Sequence, residues 1–330
     1  MLYQQCTQCP RNCSVNREQQ KGFCLESQEL KIASATLHFG EEPLITVNGG
    51  SGTIFVTGCN LRCAFCQNYQ ISQQGMGKTV SIEEFVQICL KLQAKGAENI
   101  NIVTGSHHIP FLAKGLKQAK DNGLSIPICW NSSAYESVDA LSLLEGIVDI
   151  WLPDLKTLNP LISEAVFKAK NYPSVAKRAI KWMMSHTETA IEEINGKEKM
   201  LSGVIIRHLV LPGRLQDTKL VLDWLKDSTE MALKDSSDAF LSIMSQYTPV
   251  QFREEFNLDR HKALESFQNR LLSKQEFSSI QDMIQSYDFS FLFYQELEED
   301  TEWLPDFSEK QPFSYALAKP VWHWKNGFCK

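Results

Sequence analysis

The sequence predicts an α/β protein with a partial (β/α)6 barrel. From residue 52 to about residue 250, short apolar runs alternate with amphipathic helical periods. Such alternation is typical of a parallel sheet whose right-handed crossovers place helices on its outer face. A small cysteine-rich segment precedes this repeat and a helix-and-loop extension follows it. We therefore expect three parts, at residues 1–30, 31–250 and 251–330.

Six strands are predicted, each an apolar run bounded by glycine or polar residues, at 52–58, 99–105, 126–133, 148–156, 203–213 and 239–248. Helices are predicted at 81–96, 109–123, 138–146, 159–185 with a break near Pro173, and 217–228. The extension is expected to contain a helical stretch at 260–286, a strand-like run at 289–293, an acidic loop at 296–302 and the aromatic residues Trp322, His323, Trp324 and Phe328. We expect these aromatics to pack against the barrel, although a lid or docking strip is an alternative.

Composition and charge exclude several classes of protein. Among the 330 residues, 43% are hydrophobic, which is enough for a full core. The net charge is −6, and the basic stretches at 114–120 and 168–181 are spaced like solvated helix faces, so no nucleic-acid partner is expected. We find no basic, apolar secretory start and no apolar run long enough to span a bilayer. A cytoplasmic location without a membrane partner is the expectation.

The first strand is followed by three cysteines in a C-x3-C-x2-C array, namely Cys59, Cys63 and Cys66. Iron–sulfur cubanes in electron carriers are held by four thiolates, whereas this loop supplies three. One iron of a [4Fe–4S] cluster would therefore stay open to a small molecule. A carrier would need a fourth ligand, for which Cys129 or a histidine are the candidates.

This loop resembles that of the radical S-adenosylmethionine (SAM) enzymes, which commonly have an aromatic residue before the third cysteine, as Phe65 is here. Asn68 follows the array directly. The resemblance implies that the open iron chelates the amino and carboxylate groups of SAM. One electron then cleaves the sulfonium, and the 5′-deoxyadenosyl radical abstracts hydrogen from a substrate. The cofactors supply this chemistry, so no catalytic side chain is assigned.

The fourth and fifth strands resemble one branch of that superfamily. Residues 154–156 and 206–213 are similar to the Asp-Leu-Lys and Ile-Arg-x-x-Val-x-Pro-Gly stretches of glycyl-radical-enzyme activases, such as the pyruvate formate-lyase activating enzyme. The resemblance implies that Asp154 and Lys156 line the SAM and substrate side of the pocket, and that Arg207 contacts SAM. Asp154 and Lys156 share a strand face, so an ordinary ion pair is the alternative.

Polar residues also end the other strands, where α/β proteins place their ligands. Asn131 ends the third strand. The second ends at 104–108 without the carboxylate of the activases' Gly-Gly-Glu-Pro segment, so Thr104 and Ser106 are expected to accept from the SAM ammonium. The sixth has Gln-Tyr-Thr at 246–248 instead of Pro-Tyr-His. His107, His108 and His208 are further candidates, or else hydrogen-bonded rim residues.

A second cysteine group lies near the N-terminus. Its four members, in a C-x2-C-x3-C-x10-C array, are Cys6, Cys9, Cys13 and Cys24. Four thiolates suit a structural zinc or a second iron–sulfur cluster, and the spacing does not choose between them. Cys89 and Cys129 are expected in the core, and Cys329 has no evident partner.

The predicted function is a cytoplasmic oxidoreductase of the radical SAM type, acting like an activase on a protein or peptide. The electron donor would be a flavodoxin or ferredoxin. A radical enzyme acting on a small metabolite is one alternative, and a non-catalytic iron–sulfur electron carrier is another.

Overall fold

The structure is a computed structural model that describes residues 3–233, 239–250, 258–297, 304–314 and 317–329. Its strands are β1 (Lys31–His38), β2 (Ser51–Val56), β3 (Lys78–Thr79), β4 (Ile100–Val103), β5 (Ile128–Ser132), β6 (Ile150–Pro153), β7 (Ala190–Ile194), β8 (Lys197–Leu209), β9 (Ala239–Met244), β10 (Leu292–Tyr294), β11 (Lys319–His323) and β12 (Gly327–Phe328). Its helices are α1 (Tyr69–Ser72), α2 (Ile82–Ala94), α3 (Ile109–Asp121), α4 (Val138–Leu141), α5 (Pro160–Phe167), α6 (Tyr172–Ser185), α7 (Leu215–Leu233), α8 (Leu258–Glu265) and α9 (Lys274–Tyr287).

The predicted parallel sheet is confirmed. The order along its main path is β10-β9-β8-β6-β5-β4-β2-β1-β11-β12, and every pairing from β10 to β2 is parallel. The two ends of this path, β10 and β12, do not pair with each other in the described part of the chain. The sheet is therefore a partial barrel. Its six predicted strands correspond to β2, β4, β5, β6, β8 and β9.

Several strands outside the predicted six extend this sheet. β1 pairs antiparallel with both β2 and β11, so a segment before the repeat and one near the end of the chain become neighbours. β7 and the first half of β8 form a hairpin whose turn is Asn195-Gly196, with φ of 54° and 77°. Asn-Gly is a strong signal for a two-residue hairpin turn, and it was available in the sequence.

The helices differ from prediction mainly at their ends. The break between α5 and α6 lies at Lys168, which has a left-handed φ of 53°, and not at Pro173. Pro173 lies in the first turn of α6, where a missing N–H breaks no helical hydrogen bond. The stretch 260–286 is two helices, and α9 begins with a capping box between Ser273 and Glu276. Residues 298–302 of the predicted acidic loop lie outside the described residues.

The C-terminal aromatics pack on the barrel, as expected. Trp322 is fully buried on β11, and its Nε1 donates to Glu84 Oε1 at 3.0 Å. Helices α2 and α3 approach closely because α3 has Gly115, where a Cβ would lie 2.7 Å from a ring carbon of Phe85. Cys89 and Cys129 are both buried in the core. In the described part of the chain, no helix has the length and apolar character of a membrane span.

Candidate functional site

A cavity of about 600 Å³ opens at the carboxyl ends of the parallel strands. Leu44 and Ile45, from the loop after β1, pack with Ile150 and Leu152 of β6 in an apolar cluster that is not part of the cavity lining. Residues of the cavity lining include Cys59, Cys63, Phe65, Cys66 and Asn68 from the cysteine loop, Thr104, Asn131, Asp154, Lys156, Arg207 and Gln246 from strand ends, and His38, Glu41, Pro305 and Phe313 from elsewhere. The fold therefore brings the three cysteines and the strand-end charges to one space.

The cysteine loop begins at Gly58, whose φ of 83° favours glycine. Within the loop, the Leu61 N–H donates to Cys59 Sγ at 3.3 Å. Cys66 Sγ lies 3.2 Å from Ser72 Oγ in α1. These polar neighbours suit sulfur atoms that carry negative charge when they ligate iron.

Burial raises the pKa of all three thiols, and it raises that of Cys63 to about 12 against the opposing effect of Lys156. Ligation therefore requires that a metal displace protons. Among the described residues, no three His, Cys, Asp or Glu side chains stand in an arrangement that holds a metal ion. The donor set fits a cluster, because all three thiols line one cavity next to cationic side chains.

Phe65 lies in an aromatic cluster that fixes the loop before the third cysteine. Its ring packs edge-on against three others, with centroid-to-centroid distances of 5.5 Å to Tyr247, 5.8 Å to Phe267 and 6.0 Å to Phe167. Edge-to-face contacts of this kind add to the stabilisation that comes from burial. Tyr247 of the Gln-Tyr-Thr segment thus supports the loop from behind, while Gln246 lines the cavity.

A buried ionic network joins the strand ends to the loop after β1. Arg207 Nε lies 2.8 Å from Asp154 Oδ1, and Arg207 Nη1 lies 3.2 Å from Glu41 Oε2. Arg207 Nη2 also donates to Asn131 Oδ1 at 2.6 Å. Lys156 Nζ holds the other oxygen of Asp154 at 2.8 Å. The ion pair of Asp154 and Lys156, which was the alternative interpretation of these residues, is present and is part of a larger network in the cavity wall.

Burial and charge act in opposite directions on this network. Burial acts to raise the pKa of Asp154, but Arg207 and Lys156 together hold it below its usual value. For Glu42, whose Oε2 lies 3.8 Å from Arg207, burial outweighs that attraction and raises the pKa to about 7. Burial raises the pKa of Glu41 as well. These two carboxyls therefore bind protons more readily than Asp154 does.

Sequence reasoning missed Glu41 and Glu42. They follow β1, a strand that lies before the repeat and was not predicted. The available signal was an acidic pair between two apolar runs, at 41–42 in the stretch 30–47. Glu41 Oε1 also accepts from the side chain of Asn101 at 2.8 Å, inside the sheet.

Two residues at the end of the second strand are placed differently. Thr104 lines the cavity with a left-handed φ of 64°. Ser106 is not part of the lining, because its hydroxyl donates to the buried Glu136 at 2.5 Å. The structure therefore brings Thr104, but not Ser106, to the other expected SAM contacts.

The three candidate histidines also lie outside the cavity lining. His107 Nε2 lies 2.7 Å from Thr57 O, and His208 Nδ1 lies 2.8 Å from Leu155 O. His108 lies against Arg17. His38 does line the cavity, and the centroid of its ring lies 4.7 Å from that of the Phe313 ring. Cys129, a candidate fourth cluster ligand, is packed instead in the apolar cluster of Leu44, Ile45, Ile150 and Leu152.

Comparison with known proteins agrees with this geometry. The family model described as the Radical SAM superfamily matches residues 53–213, which contain the three cysteines, Asp154 and Arg207. The chain is also 31% identical over 300 residues to the uncharacterized protein MJ0674 of Methanocaldococcus jannaschii, covering 88% of this chain and 78% of that protein. The chain contains a Radical SAM superfamily domain.

Three solved structures resemble this chain more distantly. A domain of pyruvate-formate lyase-activating enzyme from Bacteroides vulgatus ATCC 8482 is 11% identical with a TM-score of 0.36, over 57% of this chain and 92% of that one. Methylornithine synthase (PylB) is 12% identical with a TM-score of 0.46, over 74% and 70%. The FeFe-hydrogenase maturase HydG from Carboxydothermus hydrogenoformans is 12% identical with a TM-score of 0.45, over 78% and 60%.

Proposed function

We propose that this protein is a radical SAM oxidoreductase that reductively cleaves SAM and abstracts hydrogen from a substrate. The observation that carries the proposal is the meeting of Cys59, Cys63 and Cys66 with a buried ionic network in one cavity. The superfamily implies a [4Fe–4S] cluster and SAM as cofactors. Cys59, Cys63 and Cys66 would hold the cluster and leave one iron for SAM.

When bound, the cluster supplies the electron that splits SAM into methionine and the 5′-deoxyadenosyl radical. The protein binds and orients SAM and the substrate, and it shields the radical from water. The SAM contacts proposed here are Phe65, Asn68, Thr104, Asn131, Asp154, Lys156 and Arg207, all of which line the cavity. We keep Ser106 as an indirect contributor, through its hydrogen bond to Glu136.

Electrostatic complementarity supports this assignment. The network holds three carboxylates, Glu41, Glu42 and Asp154, against the two cations Lys156 and Arg207. When all five groups are charged, one negative charge remains. Free SAM carries an ammonium, a sulfonium and a carboxylate, so the molecule that enters the cavity has one net positive charge before its amino group loses a proton to bind iron. A negative charge in a buried cavity attracts the positive charge of SAM more strongly than the same charge would in water.

For the substrate, we propose hydrogen abstraction from a protein or peptide, as in the activases. The support is the pair of sequence stretches around Asp154 and Arg207. A flavodoxin or ferredoxin is the proposed electron donor, and no nucleic acid or membrane is a proposed partner. We also keep the division into residues 1–30, 31–250 and 251–330, with the first part binding zinc or a second cluster.

One observation favours a small metabolite as a second candidate. The segment 304–314 lies along the cavity, and its Pro305 and Phe313 form part of the wall. The segment is tied to α1 by the Gln70 side chain, which donates to Asp306 at 2.8 Å and accepts from the Phe307 N–H at 2.8 Å. A wall of this kind encloses a small ligand, and 600 Å³ is within the usual range for such pockets.

The test is SAM cleavage by the anaerobically purified, cluster-reconstituted protein with a chemical reductant. The wild type should form 5′-deoxyadenosine, Cys63→Ala should form none, and Cys329→Ala should match the wild type. Because some enzymes of this kind cleave SAM only with substrate bound, the EPR spectrum of the reduced cluster is recorded with and without SAM. A loaded, reducible cluster that yields no product and no SAM-dependent spectral change would favour the electron carrier.

A further inference from the structure

The segment before β1 has few apolar side chains to hold it together. Residues 3–30 contain turns but no helix or strand. The buried side chains of this segment are Cys6, Gln8, Cys9, Arg17, Cys24, Glu26 and Leu30. Ordering a segment of this length costs conformational entropy that so little apolar burial does not offset. Small segments of this composition are commonly stabilised by a bound metal.

The backbone folds the four cysteines toward one another. Cys6 and the stretch at 14–15 form a pair of hydrogen bonds, Cys6 N to Val15 O and Ser14 N to Cys6 O, both at 2.9 Å. The Phe23 N–H donates to Cys13 Sγ at 3.3 Å. The sulfurs of Cys24 and Cys13 both face Gly22, at 3.4 and 3.8 Å from the position that a Cβ would take there. The thiols of Cys13 and Cys24 are thus on the same side of one small loop system, and the backbone of Cys6 is tied to the stretch that follows Cys13.

A buried cation next to these cysteines lacks a carboxylate partner. Arg17 is 1% exposed, and its guanidinium donates to His107 O at 2.6 Å and to Ser27 O. Within the described ranges, no carboxylate oxygen lies within 4 Å of it, and its Nε has no hydrogen-bond partner. Buried charges in proteins are almost always neutralised by a nearby opposite charge. Glu26, a buried carboxyl of the same segment, acts electrostatically on Arg17 but forms no ion pair with it within 4 Å among the described residues. A closer anionic group beside Arg17 would complete the neutralisation of its charge.

Two more arginines, Arg11 of this segment and Arg62 of the cysteine loop, have no carboxylate partner among the described residues. Arg11 and Arg62 stack on the Phe23 ring, at 3.8 and 4.3 Å from its centroid. Arg11 Nε donates to Asn60 O at 2.7 Å, and Arg62 donates to Phe23 O at 2.7 Å. Four thiolates around Zn²⁺ or around a [4Fe–4S]²⁺ cluster carry a net charge of roughly −2. Such a centre supplies the missing negative charge.

The segment also contacts the backbone of the cysteine loop that would hold the SAM-binding cluster. The Cys59 N–H donates to Cys24 O at 3.3 Å. The preceding Gly58 has no room for a side chain, since a Cβ there would lie 2.8 Å from Cys24 O and 2.5 Å from Glu26 Cγ. Movement of Cys24 therefore displaces the Cys59 loop.

We propose that Cys6, Cys9, Cys13 and Cys24 hold a four-thiolate metal centre whose negative charge is balanced by Arg11, Arg17 and Arg62. Through the Cys24 carbonyl, this centre positions the loop of Cys59, Cys63 and Cys66. The positioning role rests on the proposed function, whereas the metal centre does not. A zinc ion and a [4Fe–4S] cluster are the two metals with this ligand chemistry.

The first experiment measures metal in a full-length variant that lacks the other cysteine group. Cys59→Ala, Cys63→Ala and Cys66→Ala are combined, and iron, zinc and acid-labile sulfide are counted per chain after anaerobic purification. About one zinc, or about four irons with sulfide, should remain. Adding Cys13→Ser to the triple variant should remove this remaining metal. A triple variant with native circular dichroism and neither metal overturns the proposal.

The second experiment tests the role of the arginine and of the contact. Challenge with a chelator should strip the N-terminal metal from Arg17→Met several-fold faster than from Arg17→Lys, which keeps the charge. Cys13→Ser alone should shift the EPR spectrum of the cluster on the Cys59 loop, while Cys329→Ser should not. Equal loss rates or an unshifted spectrum would contradict these roles. Failure of SAM cleavage leaves the metal count unaffected, so the two proposals fail separately.

Discussion

Arg207 and Asp154 face each other from neighbouring parallel strands. Their backbones form an isolated bridge, and Arg207 Nε lies 2.8 Å from Asp154 Oδ1. The same guanidinium reaches Glu41 on the loop after β1 at 3.2 Å. One side chain therefore joins the ends of two strands to the loop after β1 and contributes to the charge of the cavity wall.

Arg207→Met should destabilise the protein strongly. It leaves Asp154, Glu41 and Glu42 buried with Lys156 as their remaining cation in this network, and breaking a buried ion pair from one side costs about 3–5 kcal/mol. The measurement is the free energy of unfolding from urea titration. Asp223→Ala, which breaks the exposed pair with Lys219, is the matched control and should change that free energy little. Similar losses for both variants would show that the network adds no particular stability.

Glu42→Gln should gain stability relative to wild type as the pH rises. The pKa of Glu42 is raised from its ordinary 4.5 to about 7 by burial, so its contribution to stability is complete below pH 4.5 and is lost as the pH rises through 7. Glutamine stays neutral and escapes this loss. Between pH 5 and pH 8, the difference in unfolding free energy should move in favour of the variant by about 2–3 kcal/mol. A pH-independent difference would contradict the raised pKa.

SAM binding should weaken as the pH falls through 7. Protonation of Glu42 removes the negative charge that is left over in the network, and that charge complements the net positive charge of SAM. Isothermal titration with the cluster-loaded protein at pH 6 and pH 8 measures the effect. In Glu42→Gln, the affinity should be lower at pH 8 and should depend less on pH. An unchanged pH dependence in this variant would exclude Glu42 as the titrating group.

Gly58→Ala should lower the stability of the protein more than the same substitution at an unconstrained glycine of similar backbone conformation. Gly58 has a φ of 83° and would place a Cβ 2.5 Å from Glu26 Cγ, whereas Gly96 has a φ of 90° and no atom within 4 Å of its Cβ position. Gly96→Ala measures the backbone strain alone, about 1 kcal/mol. Thermal unfolding and the iron content after reconstitution should both show the excess cost at Gly58. Equal effects at the two sites would mean that the N-terminal segment does not press on the loop.

Trp322→Ala should show that the end of the chain belongs to the barrel. The side chain is fully buried between β1 and α2 and donates to Glu84, so its removal should cost about 3–5 kcal/mol. Trp322→Phe keeps most of the apolar volume and should cost less. Urea unfolding of both variants is the measurement. A loss below 1 kcal/mol for alanine would place the tail outside the cooperative fold.

The sequence by itself determined the parallel core and the cysteine loop. Periodicity is a local property of the chain, so the alternation of strands and helices was readable, and parallel strands then brought Asn131, Asp154 and Arg207 to one edge. Only the tertiary structure decided which side chains reach the cavity. Glu41 enters it from the loop after β1, a strand before the repeat that pairs antiparallel with β2, and Phe313 enters from a segment more than 250 residues further along the chain. Ser106 turns to Glu136 instead. Such contacts depend on which distant segments pack together, because the burial of a polar side chain is decided by the partners that it finds and not by its neighbours in sequence.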